Sequence, residues 1–350
     1  MVKQRECIER LPAYVQGKSI AGAVKLSSNE NPYPPLESVA GIVRDQVATM
    51  QLYPDMSARA LREAVAGRCG VRVEEIAVGA GSVEVASQLI SASAGDGDEV
   101  IFAWRSFEAY PILVRIAGAV PVAVPLTADD RHDLPAMAAA VTERTRLILV
   151  CNPNNPTGAG VTAAELDEFM GSVPEDVLVV VDEAYVHFND DPESADGLDF
   201  FRRYDNVAVL HTFSKAYGLA GLRIGYAVAR EQVAENLRRV ALPFGVTALA
   251  QHAAIASLAA EEELNERVRI LVDERARVLA ELRAAGWNVQ DSLGNFVWLR
   301  TGERTPDIDA ALRARLIVAR AYGIDGIRVT IGSPAMNDDF LAAIRSIDPV

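Results

Sequence analysis

The chain has 350 residues, more than the roughly 100–200 of a typical domain, so two domains or one large α/β unit are expected. Half of its residues are hydrophobic, and 24 Gly and 17 Pro are spread without a low-complexity tract, which excludes a disordered chain or a small disulfide scaffold. The 48 acidic residues outnumber 34 basic ones, and a formal charge of -14 argues against nucleic acid or an anionic membrane as partner.

Cys7, Cys69 and Cys151 have no CxxC spacing, and His132, His187, His211 and His252 form no local cluster. Neither a disulfide framework nor a metal site is expected, and a reducing cytoplasm fits. The first twenty residues lack the apolar core of an export signal, and no window approaches the ~20 apolar residues of a membrane span.

In chain order, residues 1–40, with Pro12, Pro32, Pro34 and Pro35, read as an extended arm. Short apolar runs then alternate with helical segments, the pattern of a parallel sheet covered by helices. Strands are expected at Glu75–Val78, Glu99–Ala103, Pro121–Val124, Leu147–Cys151, Val177–Val181 and Val207–His211, the last three starting 30 residues apart, and a further one at Ile224–Ala229. Leu178-Val179-Val180-Val181 is apolar without alternation, as a strand buried on both faces should be. Helices run from Glu231 to about Ala285, and beyond Gly286 strands Phe296–Leu299 and Ile327–Ile331 flank a helix near Ile308–Arg315. The expected architecture is α/β, with a large, mostly parallel sheet domain over residues 41–240, and an inter-domain helix and a smaller α+β domain over 241–350, to which part of the 1–40 arm belongs.

Ligands of open parallel sheets bind beyond the carboxyl ends of the strands. Three successive ends here lead into Asn152-Pro153-Asn154-Asn155-Pro156-Thr157-Gly158, Asp182-Glu183-Ala184-Tyr185 and Thr212-Phe213-Ser214-Lys215. Singly these read as a turn, a helix cap and a solvated lysine; together they bring an amide, a carboxylate, a phenol and an amine to one edge. Pyridoxal phosphate chemistry needs this set: a Schiff-base lysine (Lys215), a carboxylate on the pyridine nitrogen (Asp182), and donors for the phenolic oxygen (Asn155, Tyr185). The turn Gly79-Ala80-Gly81-Ser82 opens a helix and suits a phosphate, with Thr212, Ser214 and Arg223 as further donors. As a dinucleotide fingerprint it fails, because Glu84 stands where a third glycine is needed, which disfavours a nicotinamide oxidoreductase. Trp104, just past a strand, reads as core packing or as a platform for a pyridine ring. Arg328 reads as a solvated arginine or as the partner of an amino-acid carboxylate.

With these motifs, Ser28-Asn29-Glu30-Asn31-Pro32, Tyr53-Pro54 and Arg328-Val329-Thr330-Ile331-Gly332, nearly the whole chain resembles the fold-type I, class I/II pyridoxal phosphate aminotransferases, in the histidinol-phosphate aminotransferase branch. The resemblance implies a seven-stranded sheet, pyridoxal 5'-phosphate on Lys215, Trp104 stacked on its ring, and phosphate contacts from Gly81, Ser82, Thr212, Ser214 and Arg223. It also implies Arg328, Tyr14 and Asn29 at the substrate, and a homodimer in which Tyr53 reaches the neighbour's cofactor. Phe102-Ala103-Trp104-Arg105-Ser106-Phe107-Glu108 looks most like the actinobacterial aromatic amino acid (phenylalanine) aminotransferases. The implied reaction is transfer between aromatic L-amino acids and 2-oxo acids, with 2-oxoglutarate and glutamate as the other pair. Histidinol phosphate as donor is the alternative; Arg320 matches a phosphate-binding position, but Pro306-Asp307-Ile308-Asp309, with only Arg304 nearby, argues against a phosphorylated substrate. A decarboxylase on the same scaffold and a cofactor-binding regulator are the other readings, the latter disfavoured because no basic patch precedes the domain.

Overall fold

The computed structural model describes residues 2–3, 5–9, 11 and 20–349. Twelve strands follow in chain order: β1 Val24–Lys25, β2 Ile76–Gly79, β3 Glu99–Trp104, β4 Val120–Pro125, β5 Thr145–Cys151, β6 Leu178–Asp182, β7 Val207–Thr212, β8 Gly225–Val228, β9 Phe296–Leu299, β10 Ile317–Val318, β11 Arg320–Ala321 and β12 Ile327–Thr330. Seven of them form one sheet in the order β2-β8-β7-β6-β5-β3-β4. Only β8 is antiparallel, pairing that way with both β2 and β7. The expected strands are all present, β9 with the expected bounds and the others with shifted ends: β5, β6 and β7 begin at 145, 178 and 207, so the even 30-residue step does not hold.

Alternation along the central strands divides the core. Leu147, Leu149, Cys151 and Val180 face the helices Ser82–Ser93, Tyr110–Ala117 and Glu231–Val240, while Ile148, Val150, Val179 and Val181 face the second core with Leu166, Phe169 and Phe200. Residues with apolar neighbours on both faces belong at the centre of a helix-covered parallel sheet, and β5 and β6 are there. Parallel register aligns their carboxyl ends, with Cys151 beside Asp182 and Asp182 beside Leu210.

The second sheet is β11-β12-β9, antiparallel throughout. The two-residue strand β11 is an addition to the expected elements, and Arg328 lies inside β12, as the expected strand Ile327–Ile331 has it. The arm joins this part of the molecule through β1, which pairs in parallel with β10. No helix among the described residues is long and apolar enough to cross a membrane.

Candidate active site

Beyond β5 the chain is pinned by amides. Asn152 Oδ1 accepts from Val161 N at 2.9 Å, and Asn154 Oδ1 accepts from Ser106 Oγ at 2.8 Å while its Nδ2 donates to Thr157 Oγ1 at 3.0 Å. With its neighbours so held, Asn155 faces a cavity of about 240 Å³ that Asp182, Tyr185, Thr212, Ser214 and Lys215 also line. The strand-end residues singled out in the sequence therefore meet in one place.

Asp182 is 4% exposed, and burial raises its carboxyl above the usual range. Tyr110 Oη donates to Oδ2 at 2.6 Å and Ala184 N to Oδ1 at 3.2 Å, and both oppose that rise. The neighbouring Glu183 turns away, accepting from Gly197 N at 2.6 Å and lying 3.0 Å from His211 Nε2. Lys215 Nζ donates to Ser28 O at 3.1 Å and stands 5.7 Å from the centre of the Tyr185 ring. Burial, then the charge of Arg328, lowers its ammonium to about 7, so a neutral amine is present near neutral pH.

At the other end, Gly81 caps the helix Ser82–Ser93 in the left-handed region (φ 84°) without a side-chain cap, leaving first-turn N–H groups to a ligand. A Cβ on Gly81 would displace the tip of the Arg223 guanidinium, and the positive φ itself favours glycine here. Arg223 Nη1 donates to Ser214 Oγ at 3.2 Å, and Thr212 Oγ1 accepts from Ser214 N at 3.1 Å. Helix N–H groups, two hydroxyls and a guanidinium around a glycine-walled hollow make a monophosphate cradle, and the donor set as a whole fits pyridoxal 5'-phosphate.

A second cavity of about 120 Å³ opens off the first and shares Ser28, Phe107, Asn155, Tyr185 and Lys215 with it. Arg328, 6% exposed, lies on its wall between Phe296 and Tyr322, with ring centres at 5.5 and 5.7 Å. Its Nη2 donates to Ser27 O at 2.8 Å and its Nη1 to Asn155 Oδ1, while the buried Nε has no hydrogen-bond partner. A buried guanidinium whose partners are neutral, on the wall of a cavity, has the charge and shape to suit a carboxylate.

Other expected residues fall elsewhere. Trp104 ends β3 but does not line either cavity; the Arg105 guanidinium covers its ring at 4.7 Å. Phe107 lines both, edge-on to Tyr110 at 5.5 Å, and sequence reasoning missed it although it stands three residues beyond the same strand end. Asn29 is fully buried behind the site, donating from Nδ2 to Tyr185 Oη at 2.9 Å. Tyr53 is 83% exposed, its ring 4.7 Å from that of Phe244, away from this chain's own cavity. Tyr14 lies outside the described residues. Asp307 and Asp309 line neither cavity, and Asp309 pairs with Arg313 on its own helix. The acid that does face Arg320 is Glu108.

The fold and this constellation define an aminotransferase, and the chain belongs to the class I and II aminotransferases, whose family model matches residues 21–344. An aromatic amino acid aminotransferase of Cutibacterium acnes is 55% identical over 342 residues, covering 97% of each chain. One from Streptomyces coelicolor is 56% identical over 343 residues, 97% of this chain and 96% of the relative. Among solved structures, histidinol-phosphate aminotransferase from Sinorhizobium meliloti in complex with pyridoxal-5'-phosphate superposes with a TM-score of 0.89 at 27% identity, over 99% of this chain and 97% of that one.

Proposed function

We propose that the protein uses pyridoxal 5'-phosphate to transfer amino groups between aromatic L-amino acids and 2-oxo acids, with 2-oxoglutarate and glutamate as the other pair. The observation that carries this reading is the convergence of Lys215, Asp182, Tyr185 and Asn155 on a cavity that continues to Arg328. Relatives named for aromatic amino acids, 50–56% identical along nearly the whole chain, support the substrate class.

In this reading the Ser82 helix start, Thr212, Ser214 and Arg223 would hold the cofactor phosphate, and Asp182 would keep a proton on the pyridine nitrogen. Asn155 and Tyr185 would donate to the phenolic oxygen, and Phe107, which lines the cavity where Trp104 does not, would pack against the ring. When bound, the cofactor supplies an electron sink for the carbanion at the substrate α-carbon and carries the amino group between donor and acceptor. Arg328 takes the donor's α-carboxylate, and its bond to Asn155 ties substrate placement to the cofactor side of the site. Lys215 Nζ, uncharged in a large fraction of molecules near pH 7, removes the α-proton as general base.

The arm and residues 241–350 are read as one smaller unit against the 41–240 sheet domain, supported by the β1–β10 pairing. A homodimer is proposed from the exposed apolar set Met50, Leu52, Tyr53, Met56, Leu242 and Phe244, which a second copy would cover. Cytoplasmic residence accords with the free thiols of Cys69 and Cys151. The test is turnover of phenylalanine and tyrosine with 2-oxoglutarate; no activity with either donor would overturn the reading.

A further inference from the structure

We infer that Glu84 is a positioning residue for the cofactor phosphate: it takes up the Ala80 N–H and so holds the turn after β2 with the Ser82 and Val83 N–H groups left to the anion. The inference rests on the pyridoxal 5'-phosphate reading above and concerns how this chain builds the phosphate end of that site.

Glu84 stands where a dinucleotide fingerprint needs its third glycine. Its carboxylate folds back on the turn that precedes it: Oε2 accepts from Ala80 N at 2.9 Å and Oε1 from Gln88 Nε2 at 2.7 Å. Gln88, one helical turn further on and buried, also donates from Nε2 to Val78 O at 3.3 Å. Its Oε1 is buried with no partner among the described residues, so this amide serves its surroundings through its donor side alone. The reversed amide would set its oxygen against Glu84 Oε1, acceptor against acceptor. A Cβ on Gly79 would stand 1.9 Å from Glu84 Oε2, so a larger residue there would push the carboxylate off Ala80 N.

This brace sorts the N–H groups of the turn. Gly81 N donates to Gly79 O at 2.7 Å and Ala80 N to Glu84, so both are occupied within the turn. Ser82 N and Val83 N have no acceptor among the described residues, and both residues line the cavity of about 240 Å³ together with Thr212, Ser214 and Arg223, whereas Glu84 does not. On its other side the turn lies against β8, where a Cβ on Gly225 would come within 2.5 Å of Ser82 N. Confined between β8 and Glu84, the two remaining donors are ordered before the anion arrives, which removes part of the cost of ordering them on binding.

A carboxylate in the first turn of a phosphate-binding helix has two opposed effects. If Glu84 only complemented the helix dipole, its removal would relieve a like-charge repulsion and tighten phosphate binding. Acting through Ala80, its removal loosens the turn and weakens phosphate binding although a negative charge has gone.

The experiment measures dissociation constants of the cofactor-free protein for pyridoxal 5'-phosphate and for pyridoxal, which shares the ring and aldehyde but has no phosphate. The ratio of the two separates the phosphate end from a general loss of fold, and the melting temperature is followed alongside. Glu84→Ala is expected to lower the parent's preference for the phosphorylated form by about tenfold or more, the size of one hydrogen bond to a charged group. Glu84→Gln keeps an acceptor for Ala80 N and sheds the charge, and Gln88 can turn its unpartnered Oε1 to the new amide; its preference is expected to equal or exceed the parent's. Gln88→Leu removes the second anchor and is expected to lower the preference as Glu84→Ala does, so it carries the test if the alanine variant does not fold. A preference that stays within about threefold of the parent's or rises in the variant carrying the test, or one that falls as far in Glu84→Gln as in Glu84→Ala, overturns the inference. A parent that binds pyridoxal as tightly as pyridoxal 5'-phosphate overturns the cofactor reading together with this one, whereas a phosphate-preferring parent with an unmoved ratio in Glu84→Ala sinks this one alone.

Discussion

The hydroxyl of Tyr110 donates to Asp182 Oδ2 at 2.6 Å, with both side chains buried and Asp182 lining the active-site cavity. Burial favours the neutral acid, and Tyr110, Ala184 N and the charge of His211 favour the ion, while Glu183 works against it. Tyr110 therefore helps keep Asp182 charged where a pyridine nitrogen needs a counter-ion. Tyr110→Phe removes one hydrogen bond to a charged group, worth about 1.5–3 kcal/mol, equivalent to roughly one to two pH units. The acid limb of kcat/KM is expected to move to higher pH, with activity at pH 7 falling roughly tenfold. A pH–rate profile that superimposes on the parent's would reduce Tyr110 to a packing residue.

Asp182→Asn separates function from stability. A neutral amide cannot hold a proton on the pyridine nitrogen, so the rate is expected to fall by several orders of magnitude. The native carboxyl titrates above its unfolded value, so its destabilising ionisation grows as pH rises from the unfolded pKa through the folded one and is complete above it. At neutral pH the cofactor-free variant is therefore expected to melt at a temperature equal to or above the parent's. A rate within about tenfold of the parent's would mean that Asp182 serves only to shape its turn.

Lys215→Ala is expected to abolish transamination and borohydride-reducible cofactor attachment while leaving the fold intact, because the side chain borders a cavity rather than filling the core. Its depressed ammonium also leaves a trace in the cofactor-free enzyme. The folded value near 7 lies below the ordinary 10.5, so the stability contributed by Lys215 is full above 10.5 and is lost as pH falls to about 7. Lys215→Met should flatten the rise in melting temperature across that window. An unchanged slope, or an adduct that persists in Lys215→Ala, would place the reactive amine elsewhere.

What the sequence made legible follows from sheet geometry. Buried parallel strands such as Leu178–Val181 read as unbroken apolar runs, and their carboxyl ends converge, so Asn155, Asp182 and Lys215 could be brought together before any coordinates. Tyr110 could not, because on its helix it reads as one more apolar-face residue. The choice between Trp104 and Phe107 depends on how the chain turns after β3, which composition does not encode. The family resemblance implies Asn29 at the substrate, yet its left-handed backbone (φ 53°) and its bonds to Tyr185 and Thr330 set it one layer back. The Glu108–Arg320 pair crosses more than half the chain, and no local pattern announces such a contact.

Tyr53 tests the shared active site. It is exposed and remote from its own cavity, as a residue acting on a neighbouring subunit would be. If a dimer forms with each Tyr53 at the other copy's phosphate cradle, refolding an equal mixture of Lys215→Ala and Tyr53→Ala chains gives half hybrids, each with one intact site. About a quarter of parental activity is then expected from two inactive preparations. A fully active monomer in sedimentation, or a Tyr53→Ala enzyme as fast as the parent, would remove Tyr53 from the site.

Phenylalanine and tyrosine are expected to be better donors than histidinol phosphate. Each amino acid brings a planar α-carboxylate to Arg328, whereas histidinol phosphate carries a bulkier phosphate ester on the carbon that replaces it. The second guanidinium that borders the cavity, Arg320, is already paired with Glu108, so its attraction for that phosphate is offset by a carboxylate 2.6 Å from it. Each charge-assisted hydrogen bond forgone is worth about 1.5–3 kcal/mol, a discrimination of roughly ten- to a hundredfold. The aromatic walls from Phe107 and Tyr322 give the uncharged ring of an aromatic donor an apolar surface to cover. The measurement is kcat/KM for the three donors with 2-oxoglutarate as acceptor. A lead of about tenfold or more for histidinol phosphate would reverse the assignment, because it would require Arg320 to release Glu108 for a substrate phosphate at no net cost.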